Sequence, residues 1–388
     1  MKTIYLDNAA TTPIDTGVLD AMLPYYGVTY GNPSSLHTSG RRAKSVIDAM
    51  RLRIAHYIGA QADEIIFTGS GTESDNLALL GAARANVSKG RHIIVSAIEH
   101  KAVIEAVKLL AKEGFEISFA PVDIYGVVDI PALLALVRDD TVLVSVMLAN
   151  NEVGTIQPIT ELRKVLPKHI LLHTDACQAA GHLPLNVLEL GVDLLSLNGS
   201  KIYGPKGIGV LYKKSSVHIT PLLVGGDQEG RFRAGTESLP NIVGMTYALE
   251  KSEKLRESEH ERLWTLRTNF ITELNKALPQ SIINGHPEKV LPHIISVTIP
   301  NIEGESMLLM LDNAGIEVAT GSACSAQDLA PSHVLQAIGQ PAEVIHGSVR
   351  FSLGRNTTQE DLTKVVDIFS RIVTRLTAMS ALTSTYEK

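Results

Sequence analysis

Six short segments of the chain set chemistry-bearing side chains beside glycines or at the ends of apolar runs. Thr68-Gly69-Ser70-Gly71-Thr72-Glu73-Ser74 lies between an apolar run and a helical stretch. Glycines there let backbone N–H groups close on an anion at a helix N-terminus, and the hydroxyls add donors. A phosphate-binding P-loop is excluded because no Gly-Lys-[Ser/Thr] follows, and a dinucleotide loop because the third glycine is missing. A plain strand-to-helix turn is the competing reading. Leu197 to Gly209 carries Lys201 just past an apolar run in a glycine-rich bend. A lysine held there forms a Schiff base with a carbonyl cofactor, or is a solvated loop lysine like its neighbour Lys206.

His173-Thr174-Asp175-Ala176-Cys177-Gln178 follows another apolar run. Asp175 in that place either pairs with a protonated ring nitrogen of a cofactor or caps a helix. Ser96-Ala97-Ile98-Glu99-His100 offers His100 as a stacking or acid–base group, against a structural histidine. Ala319 to Ala326 surrounds Cys324 with small residues. A thiol that must reach a substrate belongs in such a segment, and a buried cysteine is the alternative. Arg350 and Arg355 flank the end of a last apolar run, where a guanidinium can capture a carboxylate in bidentate fashion or simply form a surface ion pair.

The elements that must hold these groups are legible from periodicity. Continuous apolar runs at 64–67, 92–95, 116–119, 142–146, 170–173, 194–197 and 209–212 read as buried strands. Helical stretches at 76–85, 100–112 and 130–137 lie between them. Alternation of this kind predicts an α/β fold with a parallel sheet covered on both faces. From about residue 245 the texture changes. A long, charged, helical stretch from Ala248 to Leu278 reads as a bridging helix, bent or interrupted. It leads to a smaller α+β unit with strands at 294–297 and 348–352 and helices at 305–313 and 359–376.

Bulk properties exclude more than they assert. The chain has 388 residues, 45% of them hydrophobic and 5% aromatic, with 30 glycines and a net charge of −6. That length predicts two domains, and the glycine-rich, aromatic-poor profile suits an α/β enzyme. No basic block predicts nucleic-acid binding, and no apolar run approaches the roughly 18 residues of a membrane span. The N-terminal residues carry no signal or transit pattern, so a cytoplasmic location is expected. The two cysteines, Cys177 and Cys324, exclude a disulfide framework and a zinc knuckle, and no metal site is expected.

The order of these segments is more specific than any one of them. Tyr5 to Pro13, Gly31-Asn32-Pro33-Ser34-Ser35-Leu36-His37, Gly71 to Asn76, Glu99-His100, Asn150-Asn151-Glu152-Val153-Gly154, Asp175 to Gln178, Lys201 to Gly207, Arg233-Ala234-Gly235-Thr236-Glu237 and Gly321-Ser322-Ala323-Cys324 together resemble the cysteine desulfurases of the NifS/IscS type. These belong to the class V aminotransferase group of fold type I pyridoxal-phosphate enzymes. The resemblance implies a large domain over 14–255, with a mixed, mostly parallel seven-stranded sheet between helices. It assigns 1–13 and 256–388 to the smaller α+β domain.

It also implies roles. Lys201 would carry pyridoxal 5'-phosphate and move protons. Asp175 would face the pyridine nitrogen, Gln178 and Asn151 the ring hydroxyl, and His100 would stack on the ring and assist proton transfer. Gly71, Thr72, Asn198 and Ser200 would surround the phosphate, with Thr236 entering from the second subunit of a homodimer. Arg355, with Asn32 nearby, would hold the carboxylate of L-cysteine. Cys324 would take the sulfur as a persulfide, releasing L-alanine, and pass it to an acceptor such as an iron–sulfur scaffold or a thiolation enzyme. An accessible, mobile loop over 320–331 is expected on this ground. Two departures from the family pattern stand out. Asn198 and Ser200 replace the usual serine and histidine, and the tail from Met379 lacks the longer segment by which some IscS proteins engage a scaffold. A selenocysteine lyase, another class V enzyme or a non-catalytic sulfur-transfer partner are the competing readings.

Overall fold

The computed structural model describes residues 3–320 and 331–379. Twelve strands occur among them: β1 (Ile4–Tyr5), β2 (Ile65–Thr68), β3 (His92–Ser96), β4 (Glu116–Ala120), β5 (Thr141–Ser145), β6 (Leu171–Asp175), β7 (Leu194–Asn198), β8 (Gly209–Lys213), β9 (Ile282–Asn284), β10 (Ile294–Thr298), β11 (Ile316–Glu317) and β12 (Ser348–Ser352). The seven apolar runs are strands β2 to β8, and they form one sheet in the order β2-β8-β7-β6-β5-β3-β4. Pairings are parallel from β4 through β7, while β8 runs antiparallel to both β7 and β2. The expected mixed, mostly parallel sheet is thus present.

Strands β3, β5 and β8 are buried at every position, as strands covered on both faces must be. Side chains alternate between two cores. Ile94, Val144, Leu172 and Leu195 meet the helices Thr38–Ile58 and Leu239–Ala277. Ile93, Val95, Leu143 and Leu194 meet the helices Gly71–Ala85 and Lys101–Lys112. The edge strand β4 alone exposes Glu116 and half of Phe119.

A third core belongs to the antiparallel sheet β12-β10-β9 and the helices Gly304–Asn313 and Gln359–Met379. β1 pairs parallel with β11, which ties the N-terminal residues to this smaller layer. The helix Leu239–Ala277 joins the layers. It is one uninterrupted 39-residue helix, and it begins nine residues earlier than predicted. Its first half buries Leu239, Ile242 and Val243 in the large core, and its second half buries Leu263, Phe270 and Leu274 in the small one. Among the described residues no helix is long and apolar enough to cross a membrane.

Phe351 on β12 sits between Phe270 and Phe369, with ring centroids 5.3 and 5.4 Å away, and is fully buried. Phe351→Ala should cost about 3–5 kcal/mol in urea unfolding. A loss below about 1 kcal/mol would contradict this packing.

Candidate active site

In the large sheet, β2 is antiparallel to β8, which is antiparallel to β7, so the ends of β2, β3, β5, β6 and β7 all leave by the same edge. The segments after these strands are the ones singled out in the sequence, and open α/β sheets bind ligands at that edge. They enclose a cavity of about 1000 Å³ lined by Gly71, Thr72, His100, Asn151, Asp175, Gln178, Asn198, Ser200 and Lys201. Nine of the predicted site residues therefore meet in one place.

Each is held by local structure. Asp175 ends β6, is nearly buried, and accepts the Cys177 N–H through Oδ1 at 2.9 Å. His100 caps the helix Lys101–Lys112, its Nδ1 accepting the Ala102 N–H at 3.1 Å. In the neutral ring the proton therefore sits on Nε2. Lys201 Nζ donates to the Ala10 carbonyl, and Gln178 Nε2 donates to the Ala9 carbonyl at 2.7 Å, so the N-terminal segment forms one wall. Lys201 is half-buried while Lys206, its sequence neighbour, is exposed.

Gly71 opens the helix Gly71–Ala85, with Ser70 Oγ accepting from Glu73 N at 3.1 Å. A Cβ at Gly71 would lie 2.7 Å from Cys177 Sγ and 3.1 Å from Asn198 Nδ2, so the glycine is required by close approach. The helix start offers unpaired N–H groups to an anion. Glu73 would oppose an anion there, but its carboxylate is occupied by Gly69 N and Arg233 Nε, each at 2.8 Å. Cys177 is buried, and burial, then Asp175, push its thiol up. It is a packing residue beneath Gly71.

Sequence reading passed over three buried carboxyls in the same cavity: Asp75, Glu99 and Glu152. Burial, reinforced by Asp175, holds Asp75 well above the usual carboxylate range, and its Oδ1 has no hydrogen-bond partner. Burial pushes Glu99 up to about 8 even though Oε1 accepts the Met147 N–H at 2.7 Å. It also pushes Glu152 up to about 7. His173, fully buried behind Asp175, is held neutral by burial, with its value drawn down to about 4. An acid inside an apolar helix and an acid beside a candidate histidine were the available signals. Arg350, also in the cavity wall, is committed to the Asn151 carbonyl at 2.9 Å and to Asp7 at 2.8 Å.

The remaining predicted residues lie elsewhere. Arg355 lines a smaller adjoining cavity that shares Lys201 with the first. Asn32 is exposed, caps its own turn by accepting the Ser34 N–H at 2.9 Å, and lines neither cavity. Thr236 is exposed and does not line this chain's own cavity. Cys324 lies outside the described residues. The described stems of its segment do reach the site. Ala319 exchanges backbone hydrogen bonds with Arg350, Ser332 Oγ donates to Glu152 Oε2 at 2.5 Å, and His333 Nε2 lies 2.9 Å from the Glu99 carbonyl oxygen.

This donor set fits pyridoxal phosphate. It combines an amine, an anion-accepting helix start that no side chain could fill, and a nearly buried carboxylate. Ligand atoms of Asp75, His100 and Asp175 lie within 4.8 Å of one another, so an acid–base group and two carboxyls meet at one point of the cavity wall. Lys201 would bear the group, Asp175 would face its ring nitrogen, and Gly71, Thr72, Asn198 and Ser200 would meet its phosphate.

Comparison with known proteins agrees with the geometry. The chain is 50% identical over 380 residues to "Cysteine desulfurase IscS" of Dictyoglomus turgidum, covering 98% of this chain and 96% of that one. A solved structure described as "NIFS-LIKE PROTEIN" superposes with a TM-score of 0.91 at 37% identity, covering 96% of this chain and all of that one. Another, "SspA in complex with cysteine", superposes with a TM-score of 0.79 at 34% identity, covering 90% and 99%. The profile of the family described as "Aminotransferase class-V" matches residues 4–365, and the chain belongs to that family.

Proposed function

We propose that this protein is a pyridoxal-phosphate-dependent cysteine desulfurase that converts L-cysteine to L-alanine and passes the sulfur to an acceptor protein. The observation that carries this is the convergence of Lys201, Asp175 and His100 on one cavity whose wall continues into both stems of the Cys324 segment. The likeness to a desulfurase over nearly the whole chain, and to a structure holding cysteine, supports the same substrate.

When bound, pyridoxal phosphate supplies an electron sink for the carbon centres of the amino acid. The chain's own groups do the rest. Lys201 Nζ holds the cofactor and then takes and returns protons. His100, with its proton on Nε2, assists proton transfer. Asp175 supplies negative charge opposite the ring nitrogen. Arg355 holds the substrate carboxylate. The Cys324 thiolate attacks the sulfur of bound cysteine: an S–S bond forms as the Cβ–S bond breaks, and the electron pair stays with carbon. Protonation of that carbon gives alanine and leaves a persulfide on Cys324.

On the same reading the enzyme is a cytoplasmic homodimer with lobes 14–255 and 1–13 plus 256–388, and Thr236 serves the partner's phosphate site. Exposed Tyr26, Val28, Tyr30 and Leu36 in one segment, and Leu223 and Val224 shortly before Thr236, support a covered face. The acceptor is an iron–sulfur scaffold or a thiolation enzyme.

Borohydride reduction should fix the cofactor on Lys201 in the wild type, and Lys201→Ala should lose that linkage; label on another residue contradicts the assignment. Cys324→Ser should lower sulfide release from L-cysteine by roughly 10³-fold or more with the cofactor still bound, and full activity would remove the nucleophile claim. Cys177→Ala, altering only a buried thiol, should stay active.

Glu99 also makes a prediction about stability. Its carboxyl binds a proton in the folded state up to about pH 8, against a reference value of 4.5. The stability it contributes is complete below the unfolded value and is lost as pH rises through about 8. Glu99→Gln, neutral at every pH, should flatten the fall in melting temperature between about pH 5 and 8. An unchanged slope would contradict the burial of that carboxyl.

A further inference from the structure

Tyr203 sits two residues after Lys201 with φ 63°, in the left-handed region. A bulky side chain adopts that conformation only under constraint, and glycine is the default there. The backbone is held on both sides: Tyr203 N donates to Thr12 Oγ1 at 2.8 Å, and its carbonyl accepts the Asp15 N–H at 2.9 Å. A position this well fixed would suit glycine better unless the tyrosine side chain has work to do.

That side chain is committed to one residue. The Arg355 guanidinium lies over the Tyr203 ring at 4.0 Å from its centroid, and the Tyr203 hydroxyl accepts the Arg355 backbone N–H at 2.7 Å. Arg355 Nη2 donates to Ser252 Oγ at 2.9 Å. Nη1 is buried without a hydrogen-bond partner. Asp15 Oδ2 is 3.6 Å from Nη1, close enough for attraction but too far for a hydrogen bond. That carboxylate is already taken by Lys251 Nζ at 2.7 Å and Gly17 N at 2.9 Å. Arg355 therefore keeps one buried donor without a hydrogen bond, and the residue lines a cavity that Lys201 also lines.

We propose that Tyr203 is the positioning residue of the substrate-carboxylate clamp: its ring sets the plane of the Arg355 guanidinium, its hydroxyl sets the Arg355 backbone, and together they leave Nη1 open for the α-carboxylate of the amino acid. The proposal rests on the reading of Arg355 as the carboxylate group. One turn after Lys201 thus couples the cofactor-bearing lysine to the substrate-holding arginine, and the strained backbone is what brings the ring beneath the guanidinium. Ground-state binding of the amino acid depends on it, while proton transfer does not.

Steady-state kinetics on purified, cofactor-loaded full-length variants test this. Tyr203→Gly suits the backbone better than the wild type and removes only the side chain, and Tyr203→Leu keeps bulk without the ring. Each should raise KM for L-cysteine about tenfold with kcat within about twofold, and should weaken competitive inhibition by L-alanine in parallel. Tyr203→Phe, which keeps the ring, should recover KM to within about threefold of wild type. Arg355→Ala should raise KM at least tenfold. A wild-type KM in Tyr203→Gly or in Tyr203→Leu, with Arg355→Ala impaired, overturns the role of Tyr203 and leaves Arg355 standing. A fall in kcat at unchanged KM in those variants also overturns it. A wild-type KM in Arg355→Ala overturns the reading of Arg355 and the proposal with it.

Discussion

Burying carboxyl groups at one edge of a sheet is the constraint around which this molecule is organised. Asp75, Glu99 and Asp175 line the same cavity and are 1%, 0% and 6% exposed. Isolated charges in such a place are costly, so each must be protonated, hydrogen-bonded or paired. Glu99 takes the first course, with its value raised to about 8. Asp75 is driven the same way by burial and by Asp175. Asp175 has a backbone donor, Cys177 N, and His173 behind it is held neutral and bonded to Ser145 and Ser196. A cationic cofactor nitrogen held by Asp175 would supply a pairing charge in this cavity.

The same edge is where the two layers meet. Ala9 and Ala10 give carbonyls to Gln178 and Lys201, and Thr12 N donates to the Ser200 carbonyl at 2.8 Å. Asp7, one segment earlier, pairs with Arg350 of β12, whose guanidinium holds the Asn151 carbonyl. The small layer therefore contributes no strand to the central sheet but fixes two walls of its cavity. Removing Arg350 would release Asp7 and Asn151 together, because one guanidinium bridges both.

Much of this was readable from residue order. The central strands apart from β4 appear as apolar runs because burial on both faces leaves little polar alternation, while β4, at the sheet edge, reads Glu116-Ile117-Ser118-Phe119 and is partly exposed. The antiparallel placement of β8 has no such signature, since a buried strand reads alike in either direction; only the resemblance implied it. The helix Thr38–Ile58 went unread because its buried face uses Gly40, Ala43, Ile47, Met50 and Ile54 among many charges. The helix Leu239–Ala277 was shortened because its first residues, Leu239 to Tyr247, include Pro240 and Gly244 and carry none of the charges that mark the rest. At the site, Lys201, Asp175 and His100 were found at strand ends. Asp75, Glu99 and Glu152 were missed because their importance comes from burial, which spacing does not report. Asn32 came from the resemblance and lies outside both cavities, while Cys324 lies outside the described residues.

The central claim is that Asp175 provides the charge opposite the cofactor ring nitrogen, and a single substitution tests it. Asp175→Asn preserves size and the acceptor for Cys177 N while removing the charge. Alanine formation from L-cysteine should fall by about 10²-fold or more at full cofactor occupancy. A wild-type rate in that variant, with the cofactor bound, would contradict the account.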